Sequence, residues 1–293
     1  MYNAYVKKDF QFPWATSALQ LFVGMLYAFP VWGLKLRAAP KLTVDDIKTI
    51  LPIAMLNAAG HSCAVVAMFE KGGGSFTHVI KASEPVVSVL LNFLVNKVVP
   101  NPVVAATLLP ITYGVAYAST LGNLDPATMS KELGSKAARL AMGSNVAFAM
   151  RSILRKNLTK DFKARTNLTP QNEHAVTTLL SGLLTVPFVL AFESLPAMSK
   201  TFHAMKDSNA FLMNLGICGM SFYLYNEMQN VVLGSLGPVP TAVGNTLKRV
   251  FIFLALYLFT AGETFPPAKV LGCAIAVAGC LAFAVAEAKT KKH

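Results

Sequence analysis

Apolar runs of about 20 residues recur along the whole chain, and no other feature constrains its fold as strongly. A run of that length is what an α-helix needs to cross the hydrocarbon core of a bilayer. Stretches rich in Pro, Gly and charge separate the runs, as is typical of loops. The nine candidate spans cover approximately 13–34, 47–69, 75–96, 102–120, 138–157, 174–193, 209–233, 239–261 and 268–287. The sequence therefore predicts an all-α, polytopic transmembrane helix bundle.

The composition supports this prediction and excludes other classes of protein. Hydrophobic residues make up 54% of the chain and charged residues 14%, against roughly 25% charged in soluble domains. The net charge of +12 would suit a nucleic-acid binder, but most Lys and Arg lie between the apolar runs, as flanking charge does in membrane proteins. We therefore expect a lipid bilayer around the chain and no nucleic-acid partner. The four cysteines lie inside apolar runs, which excludes a secreted disulfide framework.

Two parts of the chain share a layout. Lys81 and Lys248 are separated by the same number of residues as Pro100 and Pro267. In both parts a cation-bearing span is followed by a Pro-containing loop and one more span. Internal repeats of this kind are common in transporters.

The layout predicts two repeats, over residues 1–125 and 130–293, within one transmembrane domain over 1–293. The second repeat then holds five spans and the first only four. A five-span unit repeated once is inverted in the membrane, because five is odd. We therefore expect that the first repeat lacks its opening helix, with residues 1–8 as the end of it. No cleavable signal or transit segment is recognised before the first span.

Charged residues inside the spans point to function. Burying a Lys or Arg at a helix centre costs roughly 2.5 to 3.5 kcal/mol, and such residues normally face a bundle interior or a wet cavity on a substrate path. The cations in question are Lys81, Arg151, Lys248 and Arg249. They outnumber the acids well inside spans, which are Glu84 and Glu227. A phosphate dianion would balance the excess positive charge, because Arg offers forked donors to its oxygens and Lys a compact charge.

Helical spacing gathers further polar side chains beside these cations. On the third span Thr77 and His78 share a stripe with Lys81, and on the eighth Asn245 shares one with Lys248. These residues are candidate substrate-binding groups.

Two more candidates lie on other spans, and each has a structural alternative. His61 either contacts the ligand or packs helices together, and the Tyr225 hydroxyl either points into the cavity or packs. For the cations themselves the alternative is an ion-pair lattice, in which Glu84 and Glu227 neutralise Lys81 and Arg151.

Four motifs resemble those of the plastid phosphate translocator family, a branch of the drug/metabolite transporter superfamily. They are SFTHVIKASEP around Lys81, SNVAFAMRSILRKN around Arg151, FYLYNEM around Tyr225 and VGNTLKRV around Lys248. The resemblance extends over nearly the whole chain. It implies ten helices in two inverted repeats of five, and strict antiport of inorganic phosphate against a phosphorylated C3, C5 or C6 metabolite by alternating access. It also implies a plastid inner envelope location.

The resemblance further implies roles for individual residues. Lys81, Lys248 and Arg249 match the family's phosphate-holding residues, whereas Arg151 and Tyr225 match residues associated with the rest of the substrate. The family's GH dipeptide matches Gly60 and His61. Here the stretch between that dipeptide and the motif lysine is one residue longer, and the Thr or Ser just after the dipeptide is missing. Both departures lie where the family's substrate subclasses differ from one another.

Two other functions remain as alternatives. A nucleotide-sugar transporter of the same superfamily would need room for a base and would not require the adjacent Lys248 and Arg249. A membrane-embedded enzyme acting on lipid phosphates would need clustered acids for a metal, or a nucleophile beside a base. Glu84 and Glu227 lie on different spans without metal-ligand spacing. We therefore predict a transporter, with no catalytic residues, no cofactor and no metal.

Overall fold

The computed structural model describes residues 2–71, 73–235 and 266–290, with positions 248, 251, 252, 254, 255 and 258. Within these residues every regular element is an α-helix, as predicted. The helices within the ranges 2–71, 73–235 and 266–290 are, in chain order, α1 (Tyr2–Asp9), α2 (Pro13–Val23), α3 (Met25–Gly33), α4 (Val44–Phe69), α5 (Gly73–Lys81), α6 (Glu84–Asn96), α7 (Pro102–Ser119), α8 (Pro126–Leu133), α9 (Lys136–Lys156), α10 (Lys160–Arg165), α11 (Pro170–Phe192), α12 (Leu195–His203), α13 (Ser208–Ser235) and α14 (Pro267–Thr290).

Five helical segments in the described part of the chain are long and apolar enough to cross a membrane. They are Pro13–Gly33, Val44–Phe69, Pro102–Ser119, Pro170–Phe192 and Pro267–Lys289. They correspond to the first, second, fourth, sixth and ninth predicted spans. Helices α9 and α13 cover the fifth and seventh. The eighth predicted span lies mostly outside the described residues, so the count of nine stays a prediction.

The third predicted span is divided in the structure. Helix α5 ends at Lys81 and α6 begins at Glu84, with two turn residues between them. Pro85 stands in the first turn of α6, where its missing N–H does no harm, whereas inside a continuous helix it would remove a hydrogen bond. The Ser83 hydroxyl donates to the Ile80 carbonyl at 2.7 Å. The break therefore places Lys81 at a helix C-terminus, where a positive charge is favourable.

The chain forms two compact units. The first consists of Ala67–Met150 and Ser235–His293, and the second of Tyr2–Val66 and Arg151–Gly234. The boundaries fall within α4, α9 and α13. Each unit therefore combines a piece of the first predicted repeat with a piece of the second.

In the first unit α7 packs along α14 at very short range. A Cβ on Gly114 would lie 2.5 Å from the Ala276 nitrogen, and one on Gly272 would lie 2.5 Å from the Ala118 nitrogen. Only glycine fits where two backbones approach this closely. Around this pair lies a core of small and β-branched side chains, including Val115.

In the second unit α2 packs along α11 and depends on it for its N-terminus. The Trp14 and Ala15 amides each donate to a Glu193 carboxylate oxygen at 2.8 Å. These are two of the N–H groups that a helix leaves unsatisfied at its start. A carboxylate that follows α11 thereby holds the beginning of the first apolar segment.

Ion pairs gather at the opposite end of the second unit. Arg37 binds Glu227 at 2.6 Å, and Arg165 binds Asp46 at 2.5 Å. Near the start of α11, the Glu173 carboxylate binds both Arg155 and Lys163. The carboxylate side chains are only 4–6% exposed, whereas their cationic partners are 21–60% exposed.

Candidate functional site

Lys81 is the best-defined of the predicted phosphate-binding residues. Its ammonium donates to the Ser144 hydroxyl at 2.8 Å and lies 4.7 Å from the centre of the Phe148 ring. Both partners belong to α9, one helical turn apart, and Ser144 is fully buried. A hydroxyl and a ring face orient an ammonium without cancelling its charge. Neither of these two contacts places a negative charge beside Lys81.

The helix break beside Lys81 is fixed by α9 as well. The Asn145 amide nitrogen donates to the Ile80 carbonyl at 3.1 Å and to the Ser83 hydroxyl at 3.3 Å. Asn145 is fully buried. Consecutive residues of α9 thus hold the lysine and the backbone that ends just behind it.

Of the other predicted site residues in this unit, three lie among the described residues and two lie outside them. Thr77 is fully buried, and its hydroxyl has no hydrogen-bond partner within the described part of the chain. His78 is half-buried on α5, and Lys248 is a half-buried helical residue. Asn245 and Arg249 lie outside the described residues, so their predicted roles stay predictions.

Arg151 belongs to the second unit. Its guanidinium donates to the Asn57 side-chain oxygen at 2.5 Å. The Asn57 amide nitrogen donates in turn to the Ser181 hydroxyl at 2.9 Å. These two hydrogen bonds connect α9, α4 and α11. Asn57 is 3% exposed. Asn57 is a neutral acceptor for Arg151, as Ser144 is for Lys81.

His61 and Tyr225 meet through one aromatic ring of the second unit. The His61 ring centre lies 4.3 Å from that of Phe222, and Tyr225 contacts Phe222 edge-on at 5.6 Å. His61 is buried, whereas Tyr225 is 40% exposed. The structure thus brings these two candidates into one row, with the tyrosine at its accessible end.

The structure gives Glu227 a different partner from the one that the ion-pair alternative assigns to it. That alternative assigns Glu227 to a cation of the apolar spans, but the carboxylate binds Arg37, which follows α3. Arg37 lies outside every predicted span, and its pairing depends on the packing of α13. Nothing in the local sequence pattern identifies it as the partner of Glu227.

Asn57 and Ser181 were not among the predicted site residues. Asn57 precedes His61 by four positions, so the two share a face of α4, and this spacing was the available signal. Ser181 offers no comparable signal, because a lone serine in an apolar helix often bonds to a carbonyl of its own helix. Ser181 does contact the Thr177 carbonyl at 2.6 Å.

Comparison with known proteins adds to this geometry. The profile of the Triose-phosphate Transporter family matches residues 1–284. The chain is 32% identical to the chloroplastic xylulose 5-phosphate/phosphate translocator of Arabidopsis thaliana, over 100% of this chain and 68% of that protein. It is 30% identical to the chloroplastic triose phosphate/phosphate translocator of Brassica oleracea var. botrytis, over 99% and 68% respectively. A solved crystal structure matches 96% of this chain and 91% of its own with a TM-score of 0.56. At 14% identity that last likeness concerns the fold alone.

Proposed function

The chain belongs to the Triose-phosphate Transporter family, and from this premise we propose that it exchanges inorganic phosphate for a phosphorylated C3, C5 or C6 metabolite across the plastid inner envelope membrane. Both relatives are named as chloroplastic translocators that pair phosphate with an organic phosphate. Their names support transport over enzymatic chemistry and over a nucleotide-sugar substrate. The five long apolar helical segments support an integral membrane protein.

The observation that carries the proposal is the setting of Lys81. Lys81 lies at the C-terminus of α5 within an apolar segment, and a hydroxyl and a ring hold it in one orientation. A phosphate dianion would accept charge-assisted hydrogen bonds from its ammonium. Lys248 and Arg249 would complete the phosphate contacts, with Thr77, His78 and Asn245 beside them.

Arg151, Tyr225 and His61 would meet the rest of the substrate. Arg151 would provide forked donors for a polar group of the metabolite. Tyr225 and His61 would line the same part of the site. The two relatives differ in their organic substrate and are almost equally similar to this chain. Identity therefore does not choose between a triose and a pentose phosphate.

Two inverted repeats would supply the conformational change. Helices α7 and α14, which pack together, are the last spans of the two predicted repeats. Helices α2 and α11, which also pack together, would be equivalent in the same scheme. Pairing of equivalent helices supports a pseudo-two-fold relation between the repeats.

Charge would make the exchange strict. An empty site with excess positive charge resists closure between low-dielectric walls, because the charges repel one another more strongly there than in water. A bound dianion cancels the excess and permits the change of access. Net movement of an empty carrier would therefore be slow, and each phosphate imported would require a metabolite exported.

Uptake of labelled phosphate into liposomes reconstituted with the full chain tests this function. Vesicles would be preloaded with phosphate, triose phosphate, 3-phosphoglycerate, phosphoenolpyruvate, xylulose 5-phosphate, glucose 6-phosphate or nothing. We expect uptake only with an internal counter-substrate, and a rate at least about tenfold lower in Lys81→Ala, because a charge-assisted contact is lost.

The exposed Lys131 on α8 provides the control, because Lys131→Ala removes the same charge outside the apolar segments. It should retain wild-type exchange. Equal uptake into empty and loaded vesicles would contradict strict exchange. Competition by nucleotide sugars but not by triose phosphate would favour the nucleotide-sugar alternative, and no uptake under any loading would contradict transport.

A further inference from the structure

A buried chain of hydrogen bonds stands behind Arg151. Arg151 donates to Asn57 and Asn57 donates to Ser181, which are 3% and 0% exposed. The Ser181 hydroxyl lies 2.9 Å from the Ala54 carbonyl and 2.6 Å from the Thr177 carbonyl, so it can donate to either. All of these hydrogen bonds lie within the second unit, and the last of them reaches backbone carbonyls of α4 and α11.

The chemistry of these groups permits one direction only. A guanidinium donates and does not accept, so the oxygen of the Asn57 amide must face Arg151. The amide nitrogen must then face Ser181, whose oxygen accepts while its proton goes to a carbonyl. A satisfied chain with a single polarity holds the amide in one rotamer, and through it the planar guanidinium.

The choice of an amide matters for an anion carrier. An aspartate at position 57 would hold the guanidinium with similar geometry but would cancel its charge. Asparagine binds the Arg151 guanidinium without placing a negative charge beside it. The arrangement parallels that of Lys81, whose ammonium is oriented by a hydroxyl.

We propose that Asn57 is a positioning residue that sets the orientation of Arg151 and thereby the affinity for the organic part of the substrate, relative to inorganic phosphate. The inference rests on the proposed function, in which Arg151 meets the metabolite and Lys81 the phosphate. Asn57 does not itself touch substrate in this scheme. Its effect passes through Arg151 alone.

The test separates two exchange reactions of the full chain in liposomes. Phosphate–phosphate exchange reports the phosphate site, and exchange of internal phosphate for external triose phosphate or glucose 6-phosphate reports the organic part as well. In Asn57→Ala we expect the KM for the organic phosphate to rise about tenfold, the factor of one lost hydrogen bond to a charged group. The KM for phosphate should stay within about twofold of wild type.

A double-mutant cycle shows whether Asn57 acts through Arg151. In an Arg151→Ala background the additional change Asn57→Ala should alter the organic-phosphate KM by less than about twofold, because the residue it positions is gone. Ser181→Ala, which keeps the amide but removes its anchor, should shift the same KM in the same direction by about threefold. Asn57→Asp should weaken organic-phosphate exchange more than Asn57→Ala does, because it cancels the arginine charge.

Several outcomes would overturn the inference while leaving the proposed function intact. One is an equal rise of both KM values in Asn57→Ala, which indicates a general structural role. Another is an additive effect in the double mutant. If Asn57→Ala is not recovered as folded protein, an unchanged KM ratio in Ser181→Ala would count against the proposal in the same way. Failure of wild-type phosphate exchange would instead contradict the proposed function itself.

Discussion

The most prominent contacts inside the first unit differ in kind from those inside the second unit. In the first unit the backbones of α7 and α14 approach so closely that the Cβ of an alanine at Gly114 would lie 2.5 Å from a backbone nitrogen. In the second unit the buried carboxylates of the described residues pair with arginines at one end of the unit, and a fourth carboxylate, that of Glu193, holds the start of α2. The first arrangement depends on shape, whereas the second depends on charge.

The difference teaches that one composition can satisfy a membrane environment in two ways. Apolar helices gain little from hydrophobic burial against one another in lipid, so close packing of small residues has to hold them. Buried polar groups add stability only when their partners are present. We therefore expect the contact between α7 and α14 to respond to added volume and hardly to salt, and the ion pairs of the second unit to respond to lost charge.

The largest effect should come from breaking the close approach in the first unit. Gly114→Ala puts a methyl group against the backbone of α14, which cannot rotate away, and overpacking of this kind costs about 3 kcal/mol. The thermal midpoint of the purified protein in detergent should fall, by the same amount at low and at high salt. The matched control is Gly216→Ala on α13, where nothing lies within 4 Å of the added carbon. That variant should be neutral or stabilised by up to about 1 kcal/mol.

A smaller loss should follow from removing one member of the Arg37–Glu227 pair. Glu227→Ala leaves a guanidinium partly buried without its carboxylate, and we expect a loss of about 2 kcal/mol. The double variant Arg37→Met with Glu227→Leu should recover most of this loss, since apolar replacement of a buried pair is often neutral. A double variant as unstable as Glu227→Ala would show that shape, rather than charge, governs this contact as well.

The smallest effect should come from the ion pair nearest to water. The Arg165 side chain is 60% exposed, so Arg165→Ala should lower the stability least of the three changes, because solvent screens the pair. The difference from wild type should shrink towards zero in 1 M salt, where the screening length is about 3 Å. If Arg165→Ala remains equally destabilised in 1 M salt, electrostatic attraction does not explain the contribution of this ion pair.

Local patterns predicted the apolar helices well. Helices α4, α7, α11 and α14 lie close to predicted spans because hydropathy over about 20 residues is a local property. The division of the third span also had a local sign, which is Pro85. The short helices α8, α10 and α12 were not predicted, because apolar runs were the criterion and these helices lie between them.

The pairings of polar residues could not be predicted in the same way. Lys81 was predicted as a site residue, but its contacts with Ser144 and Phe148 depend on which helix packs beside α5. Asn57 was missed for the same reason, because its partners Arg151 and Ser181 are distant in sequence. Spacing identifies residues that share a helix face, whereas the neighbour across that face is decided by the packing of the whole unit.

The contact between Glu193 and the start of α2 also bears on how the chain is made. Ala15 leaves the ribosome 178 residues before the carboxylate that binds its amide. At a synthesis rate of roughly 5–20 residues per second, that partner follows after about 10 to 35 s. During this interval the Trp14 and Ala15 amides need water or headgroups, so the start of α2 has to wait at the membrane surface. The start of α2 is therefore locked in place only after Glu193 has been added.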